Sequence, residues 1–166
     1  MASDIWNTLS AAGTVASAVV AAIALLLVYF QLRATRRIAE ADLILRLEAE
    51  WVDHFSGIYK RFLPGGEWND DRPGPQTQEE RVALENYLDF FATLSSLVDK
   101  ELLSLSLIDE MFAYRYFIAT RNKHTQELVG SNKVFWSSLI RLDSQWQLYR
   151  NGKNAPTINH HAGLGG

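Results

Sequence analysis

The chain has 166 residues, which is enough for one compact domain together with a membrane anchor, and a second globular unit is not expected. Its formal net charge of −3 excludes recruitment to nucleic acid by bulk positive charge, so any such binding has to be local. The absence of cysteine excludes disulfides, thiolate nucleophiles and cysteine-based zinc or iron–sulfur sites.

The first predicted element is a transmembrane helix. Between Asp4 and Arg33 lie 28 consecutive uncharged residues, and about 20 apolar residues are enough to cross a hydrocarbon core as a helix. A cleaved signal peptide is not expected, because the apolar run is too long and no basic region precedes it. Arg33, Arg36 and Arg37 follow the span directly, so the positive-inside rule places the N-terminus outside and the rest of the chain in the cytoplasm.

Small and polar residues recur along this span at alternating steps of three and four, which is a heptad pattern. We name these residues the seam: Asn7, Ser10, Thr14, Ser17, Ala21, Ala24, Val28, Gln31 and Thr35. Gly13, Ser17 and Ala21 also form a small-xxx-small pattern that lets helix backbones approach closely. The seam predicts self-association in the bilayer, either through a dry interface or as a ring whose polar stripe lines a water-filled path.

The segment after the span predicts further helices. The first helix continues without Gly or Pro to Gly57, and we expect it to end near Phe62. A loop rich in Pro and Gly follows. Thr77 with Glu80 is the pattern of a capping box, so it predicts the start of a second helix.

Two more helices are predicted beyond residue 100. Ser106 with Asp109 repeats the start signal, so we expect a third helix from there to about Leu128, stopped by Gly130. A fourth is expected from about residue 132 to residue 150, with its apolar positions at Val134, Phe135, Leu139, Leu142, Trp146 and Tyr149.

The predicted fold class is all-α, because no stretch shows the sustained two-residue alternation of a strand. Residues 1–37 are predicted to form the transmembrane helix and its basic exit. Residues 38–150 are predicted to form a cytosolic bundle of about four helices. Residues 151–166 are predicted to be a flexible tail, because they lack a core-forming period.

Motifs for catalysis or metal binding are not found in the sequence. It contains no glycine-rich phosphate loop, no G-x-S-x-G and no H-E-x-x-H, so we expect no enzyme activity, cofactor or metal site. His160 and His161 are adjacent in the tail, where a flexible surface pair is the usual role. The stretch RNKH places Arg121 and His124 on one side of the third predicted helix, and we interpret it first as solvated surface or an interface.

The charge is distributed unevenly. Residues 38–110 contain 16 acidic against 6 basic residues, whereas residues 111–166 contain 2 acidic against 7 basic ones. Aromatic residues are interleaved with these bases, which predicts a site for a nucleotide or oligonucleotide. The alternative is that the bases pair with the acidic middle of the same or a neighbouring subunit. The residues that could bind an anionic ligand are Arg115, Arg121, Lys123, His124, Lys133, Arg141 and Arg150.

Three stretches carry a resemblance to known proteins: WNTLSAAGTVASAVVAAIAL, YFQLRATRR and NYLDFFATLSSLVDKELLSLSLID. Together they resemble a domain-of-unknown-function family of small bacterial single-span membrane proteins, some of them encoded beside antiphage systems. The layout is also similar to the pore-forming membrane accessory protein of certain CRISPR loci. The resemblance implies a homo-oligomeric effector in the bacterial inner membrane that permeabilises or depolarises it after infection, with a defence-system protein as a further partner.

Two alternatives to this pore-forming effector stay open. One is a membrane-anchored adaptor that recruits a partner protein or nucleic acid. The other is a degenerate ribonuclease, because RNKH incompletely resembles the Arg-to-His element of HEPN ribonucleases; Arg121 and His124 stand closer together than that motif has them.

Overall fold

The computed structural model describes residues 2–153, with the side chains of residue 17 and of residues 19–153. Within that range the chain forms helices and no strand: α1 (Ala2–Phe62), α2 (Gln78–Asp99), α3 (Leu105–Thr120), α4 (Lys123–Ser131) and α5 (Ser137–Gly152). The predicted all-α fold, a long apolar N-terminal helix followed by a helical bundle, is confirmed. The chain divides into two compact units, Met1–Asp42 and Leu43–Gly166. Most of the predicted tail lies outside the described residues.

Helix α1 begins in the apolar N-terminal sequence and ends at Phe62, as predicted. Its described stretch Val19–Phe62 is long and apolar enough to cross a membrane. A core helix of a soluble protein can be equally apolar, but it is mostly buried, whereas the side chains of residues 19–39 are all exposed. The first helix can therefore span a membrane by its length and composition.

The second unit is held together by one apolar core. Helix α1 contributes Trp51 and its apolar neighbours on one face, α2 contributes Leu88 and Phe91, and α3 contributes Tyr116. In α5 the Trp146 ring stacks on the Tyr116 ring at 4.8 Å. Because the largest of these side chains are fully buried, and aromatic side chains bury the most area, this cluster dominates the stability of the bundle.

The start of α2 matches its prediction. The Thr77 hydroxyl accepts a hydrogen bond from the Glu80 backbone N–H at 3.1 Å, and Glu80 accepts one in return from the Thr77 backbone N–H at 3.2 Å. The Glu80 carboxylate also accepts a hydrogen bond from the Gln76 backbone N–H. These two backbone donors, Gln76 first, lower the pKa of Glu80 below its usual range.

The predicted third helix is wrong in its extent, because it is broken into α3 and α4. Helix α3 ends at Thr120, and Asn122 has the extended φ and ψ of −68° and 137°. The Asn122 side chain accepts a hydrogen bond from the His124 backbone N–H and so caps α4. The sequence predicts Asn122 within one continuous helix, but its side chain instead caps the start of a new one.

The predicted starts of the third and fourth helices are also wrong. Helix α3 begins after Ser104, and Asp109 accepts hydrogen bonds from Trp146 and Arg150 of α5 instead of capping its own helix. Helix α5 begins at Ser137, because residues 132–136 form turns. Val134 and Phe135 were predicted on the apolar face of the fourth helix, yet they are 86% and 65% exposed.

Candidate functional site

The described part of the seam lies on a fully exposed stretch of α1. Every described side chain from residue 19 to residue 39 is exposed, including the seam residues Ala21, Ala24, Val28, Gln31 and Thr35. The other sides of the helix are exposed as well, and Leu25 has 72% of its side chain accessible. The side chains of Asn7, Ser10 and Thr14 and the surroundings of Gly13 lie outside the part of the chain that the structure describes. An apolar surface of this size on all sides of a helix needs a lipid or protein cover.

The four residues of RNKH do not form one helix face. Arg121 lies at the end of α3 and donates hydrogen bonds to Asp143 of α5. His124 lies in the first turn of α4, where its Nε2 atom donates a hydrogen bond to the Arg72 carbonyl at 2.9 Å. The prediction that they share one side of a helix is therefore wrong, because Asn122 separates them into two helices.

His124 also holds the loop between α1 and α2 in place. Gly74 has a positive φ of +74°, and its Cα lies against the His124 ring, so that a Cβ at this position would come within 2.5 Å of the ring. Nearby, the Asn122 side chain donates hydrogen bonds to the Trp68 carbonyl at 2.7 Å and to Asp70 at 2.9 Å. The residues at the junction of α3 and α4 therefore hold this loop in place.

Four of the predicted anion-binding residues are ion-paired within the bundle. Arg121 pairs with Asp143, and the other three pair with carboxylates of the acidic middle of the chain. These are Arg115 with Glu48, Arg141 with Asp99 and Arg150 with Asp109. Lys123 is exposed, and its backbone N–H donates a hydrogen bond to Asp70. Lys133 is exposed in the turns before α5.

Arg115 is the most constrained of these bases. Its guanidinium donates two hydrogen bonds to the Glu48 carboxylate, at 2.6 and 2.8 Å, which is the bidentate geometry of a strong ion pair. The same group lies 3.9 Å from the centre of the Trp51 ring, in a cation–π contact. Both contacts join α3 to α1, so Arg115 already has a structural role in the bundle.

Two cavities contain residues from the predicted set. One, of about 490 Å³, is lined by Arg115 and Arg150 together with Tyr59, Lys60 and Tyr114. Burial, followed by the neighbouring Tyr114, raises the pKa of Tyr59 to about 12, so its hydroxyl stays protonated at neutral pH.

The second cavity, of about 340 Å³, contains two of the other predicted bases, Arg121 and Lys133. It lies where the end of α3, helix α4 and the beginning of α5 meet. Four of the seven predicted residues are therefore divided between these two cavities, and neither cavity is lined by Lys123, His124 or Arg141.

Within the described residues, no group of three or more His, Asp or Glu side chains is placed to hold a metal ion. His160 and His161 lie outside the described part of the chain. Comparisons with protein-family models, with curated proteins and with solved structures gave no match.

Sequence reasoning missed Asn122 and Thr125, which are both buried polar residues in the second unit. In the sequence Asn122 is part of RNKH, the stretch interpreted as solvated surface or an interface. Asparagine is a preferred helix cap, so its presence between two apolar helical runs was a usable signal. Thr125 gave no signal, because nothing in a threonine's local sequence shows whether its hydroxyl has a partner in the fold.

Proposed function

We propose that this chain is a homo-oligomeric effector of the bacterial inner membrane, acting in antiphage defence. In this proposal its first helix spans the bilayer and forms a path across it, and its helical bundle lies in the cytoplasm and receives the trigger. The observation that carries the proposal is the complete exposure of the apolar helix from residue 19 to residue 39. Burying that surface in lipid is strongly favourable, at about 25 cal/mol per Å² of apolar area.

The orientation in this proposal rests on the charges that flank the span. Arg33, Arg36 and Arg37 follow it, and Asp4 is the only charged side chain before it in the sequence. Basic residues are retained on the cytoplasmic side of a membrane, which favours a cytoplasmic bundle.

Self-association is supported by the seam and by a second exposed surface in the bundle. Leu45 and Val52 lie seven residues apart on α1 and are 64% and 47% exposed, whereas Leu47 and Trp51 are buried in the core. A seven-residue spacing places both apolar side chains on the same side of a helix. In a second copy of the chain the same residues would provide a matching surface.

A path across the bilayer is supported by the polar members of the seam. A lone helix in lipid gains little from a stripe that includes Ser10, Thr14, Ser17 and Gln31. In a ring of helices such side chains can hydrogen-bond to water in the path, and in a dry interface they can hydrogen-bond across the helices, so the substitutions below decide between the two. The defence role is the implication of the resemblance described above.

Conductance measurements on the purified full-length protein test this proposal. We expect channel events in planar bilayers and an oligomer by mass measurement in detergent. Replacing Ser10, Thr14 and Ser17 together by Leu should abolish both conductance and growth inhibition while leaving the oligomer intact. The matched control replaces three small residues off the seam by Leu: Ala12, Ala16 and Ala22. A monomer that gives no conductance refutes the proposal, and equal conductance in both triple variants refutes the path along the seam.

A second candidate function is a membrane-anchored adaptor, which the exposed Val134 and Phe135 favour. These apolar side chains lie in the turns between α4 and α5, where a partner protein could cover them. The two functions separate when residues 5–32 are replaced by an unrelated transmembrane helix. An adaptor keeps its cellular activity after this exchange, and a pore loses it.

A further inference from the structure

The cavity of about 340 Å³ in the bundle combines features of a binding site for a small molecule. It lies where the end of α3, helix α4 and the beginning of α5 meet. The residues used below are Arg121, Thr125, Val129, Lys133, Ile140 and Asp143, all of which line it. Its volume falls in the range of about 300–1,000 Å³ that is typical of ligand pockets.

Thr125 provides a polar group without a partner in this cavity. Its side chain is only 1% exposed, and its Oγ1 atom meets no hydrogen-bond partner among the described residues. Most buried hydroxyl groups are hydrogen-bonded, because an unpaired one costs free energy. A polar atom of a ligand in the cavity would satisfy this hydroxyl.

The charges of the cavity favour an anion. Arg121 lies 3.1 Å from the Asp143 carboxylate, so the positive charge of Arg121 is balanced by the negative charge of Asp143. Lys133 also lines the cavity, and no carboxylate of the described residues forms an ion pair with it. One positive charge therefore remains for a ligand.

The rest of the wall includes apolar side chains. Val129 of α4 and Ile140 of α5 are on this surface, and Ile140 is partly exposed. An apolar body between these two side chains would remove their surface from water, which favours an organic ligand over an inorganic ion.

We propose that this cavity binds a small organic anion. The anionic group contacts Lys133, the apolar body packs against Val129 and Ile140, and a polar atom hydrogen-bonds to the Thr125 hydroxyl. The cavity holds a molecule no larger than about one nucleotide. Binding here does not depend on the membrane role proposed above, so either proposal can fail while the other stands.

Calorimetric titration of the full-length protein in detergent tests this site with four probes. AMP and phenyl phosphate carry both an anionic group and an apolar body, whereas adenosine and inorganic phosphate each lack one of the two. We expect saturable binding of AMP or phenyl phosphate, and at least tenfold weaker binding of adenosine and inorganic phosphate. Dissociation constants above about 1 mM for both organic phosphates overturn the proposal. Inorganic phosphate that binds as tightly as they do overturns the organic part of it.

Two substitutions locate the binding, each with a matched control. Lys133→Gln should weaken it about tenfold or more, because a hydrogen bond to a charged group is lost, and Lys100→Gln should leave it unchanged. Thr125→Val should weaken it about threefold to tenfold, because it removes the hydroxyl and keeps the shape.

The control for Thr125→Val is Ser95→Ala, which removes another buried hydroxyl without a partner, on α2 and away from the cavity. The thermal midpoint separates binding from folding: Thr125→Val should leave the midpoint unchanged or raise it while affinity falls. Unchanged affinity in Thr125→Val, or an equal loss in Ser95→Ala, overturns the site.

Discussion

Replacing Asn122 by Ala should destabilise the bundle by about 2–4 kcal/mol. The substitution removes the cap of α4, which is worth about 1 kcal/mol. It also removes the donor to the Trp68 carbonyl, 2.7 Å away and on a buried residue, and an unpaired buried acceptor costs about 1–3 kcal/mol. Asp70 loses less, because it still accepts a hydrogen bond from the Lys123 backbone N–H.

This loss can be measured as a fall in the thermal midpoint of the full-length protein, followed by tryptophan fluorescence. At about 2–4 °C per kcal/mol for a chain of this size, the Asn122→Ala midpoint should fall by roughly 4–16 °C. Asn132→Ala is the matched control, because it removes a single exposed hydrogen bond to the Phe135 backbone N–H and should cost below about 1 kcal/mol. Equal midpoints for the two variants would refute the conclusion that Asn122, at the α3–α4 junction, holds the loop between α1 and α2 in place.

Three further predictions concern α1, the α2 cap and the α1–α3 ion pair. Because the chain contains no cysteine, Val52→Cys should give a disulfide-linked dimer in membranes under oxidation. Glu50→Cys, which lies off the proposed contact, should not. Equal yields of cross-linked dimer from the two variants would exclude a contact at the Val52 face of α1. Two backbone donors lower the pKa of Glu80, so its contribution to stability is present above the unfolded-state pKa and is lost as the pH falls through the folded value. In Glu80→Gln the thermal midpoint should therefore depend less on pH in this acidic window. A pH dependence equal to that of the parent protein contradicts this. Arg115→Lys loses the bidentate geometry of the Arg115–Glu48 ion pair and should lower the free energy of unfolding by about 1–2 kcal/mol. A thermal midpoint equal to that of the parent protein would mean that this ion pair does not stabilise the bundle.

The parts of the fold that local sequence determines were predicted correctly. Helix α1 ends at Phe62 because the apolar, helix-forming sequence gives way to a Pro- and Gly-rich loop, and α2 begins at Thr77 because the capping box involves only residues three apart. These signals act within a single turn of helix, so no knowledge of the tertiary fold is needed to read them.

The errors occurred where distant residues decide the local structure. Asp109 has the spacing of a cap residue, but Trp146 and Arg150 of α5 donate hydrogen bonds to it from 37 and 41 residues away. Asn122 is held in its extended conformation partly by Trp68 and Asp70 of the distant loop. The Asp109 carboxylate can accept either from its own helix or from distant donors, and the sequence alone does not show which of the two forms. Asn122 makes both kinds of contact, because its Oδ1 accepts the cap hydrogen bond while its Nδ2 donates to the loop.

Four of the bases that follow residue 110 are ion-paired within the bundle. The excess of bases after residue 110 resembles a surface for polyanions, but Arg115, Arg141 and Arg150 are matched by carboxylates of the acidic middle. Binding a polyanion at these positions would mean breaking those pairs, and each broken pair would leave a carboxylate without its partner. An extended nucleic-acid surface is therefore disfavoured on energetic grounds. A small anion at Lys133, as proposed above, breaks no ion pair among the described residues, so its binding carries no such cost.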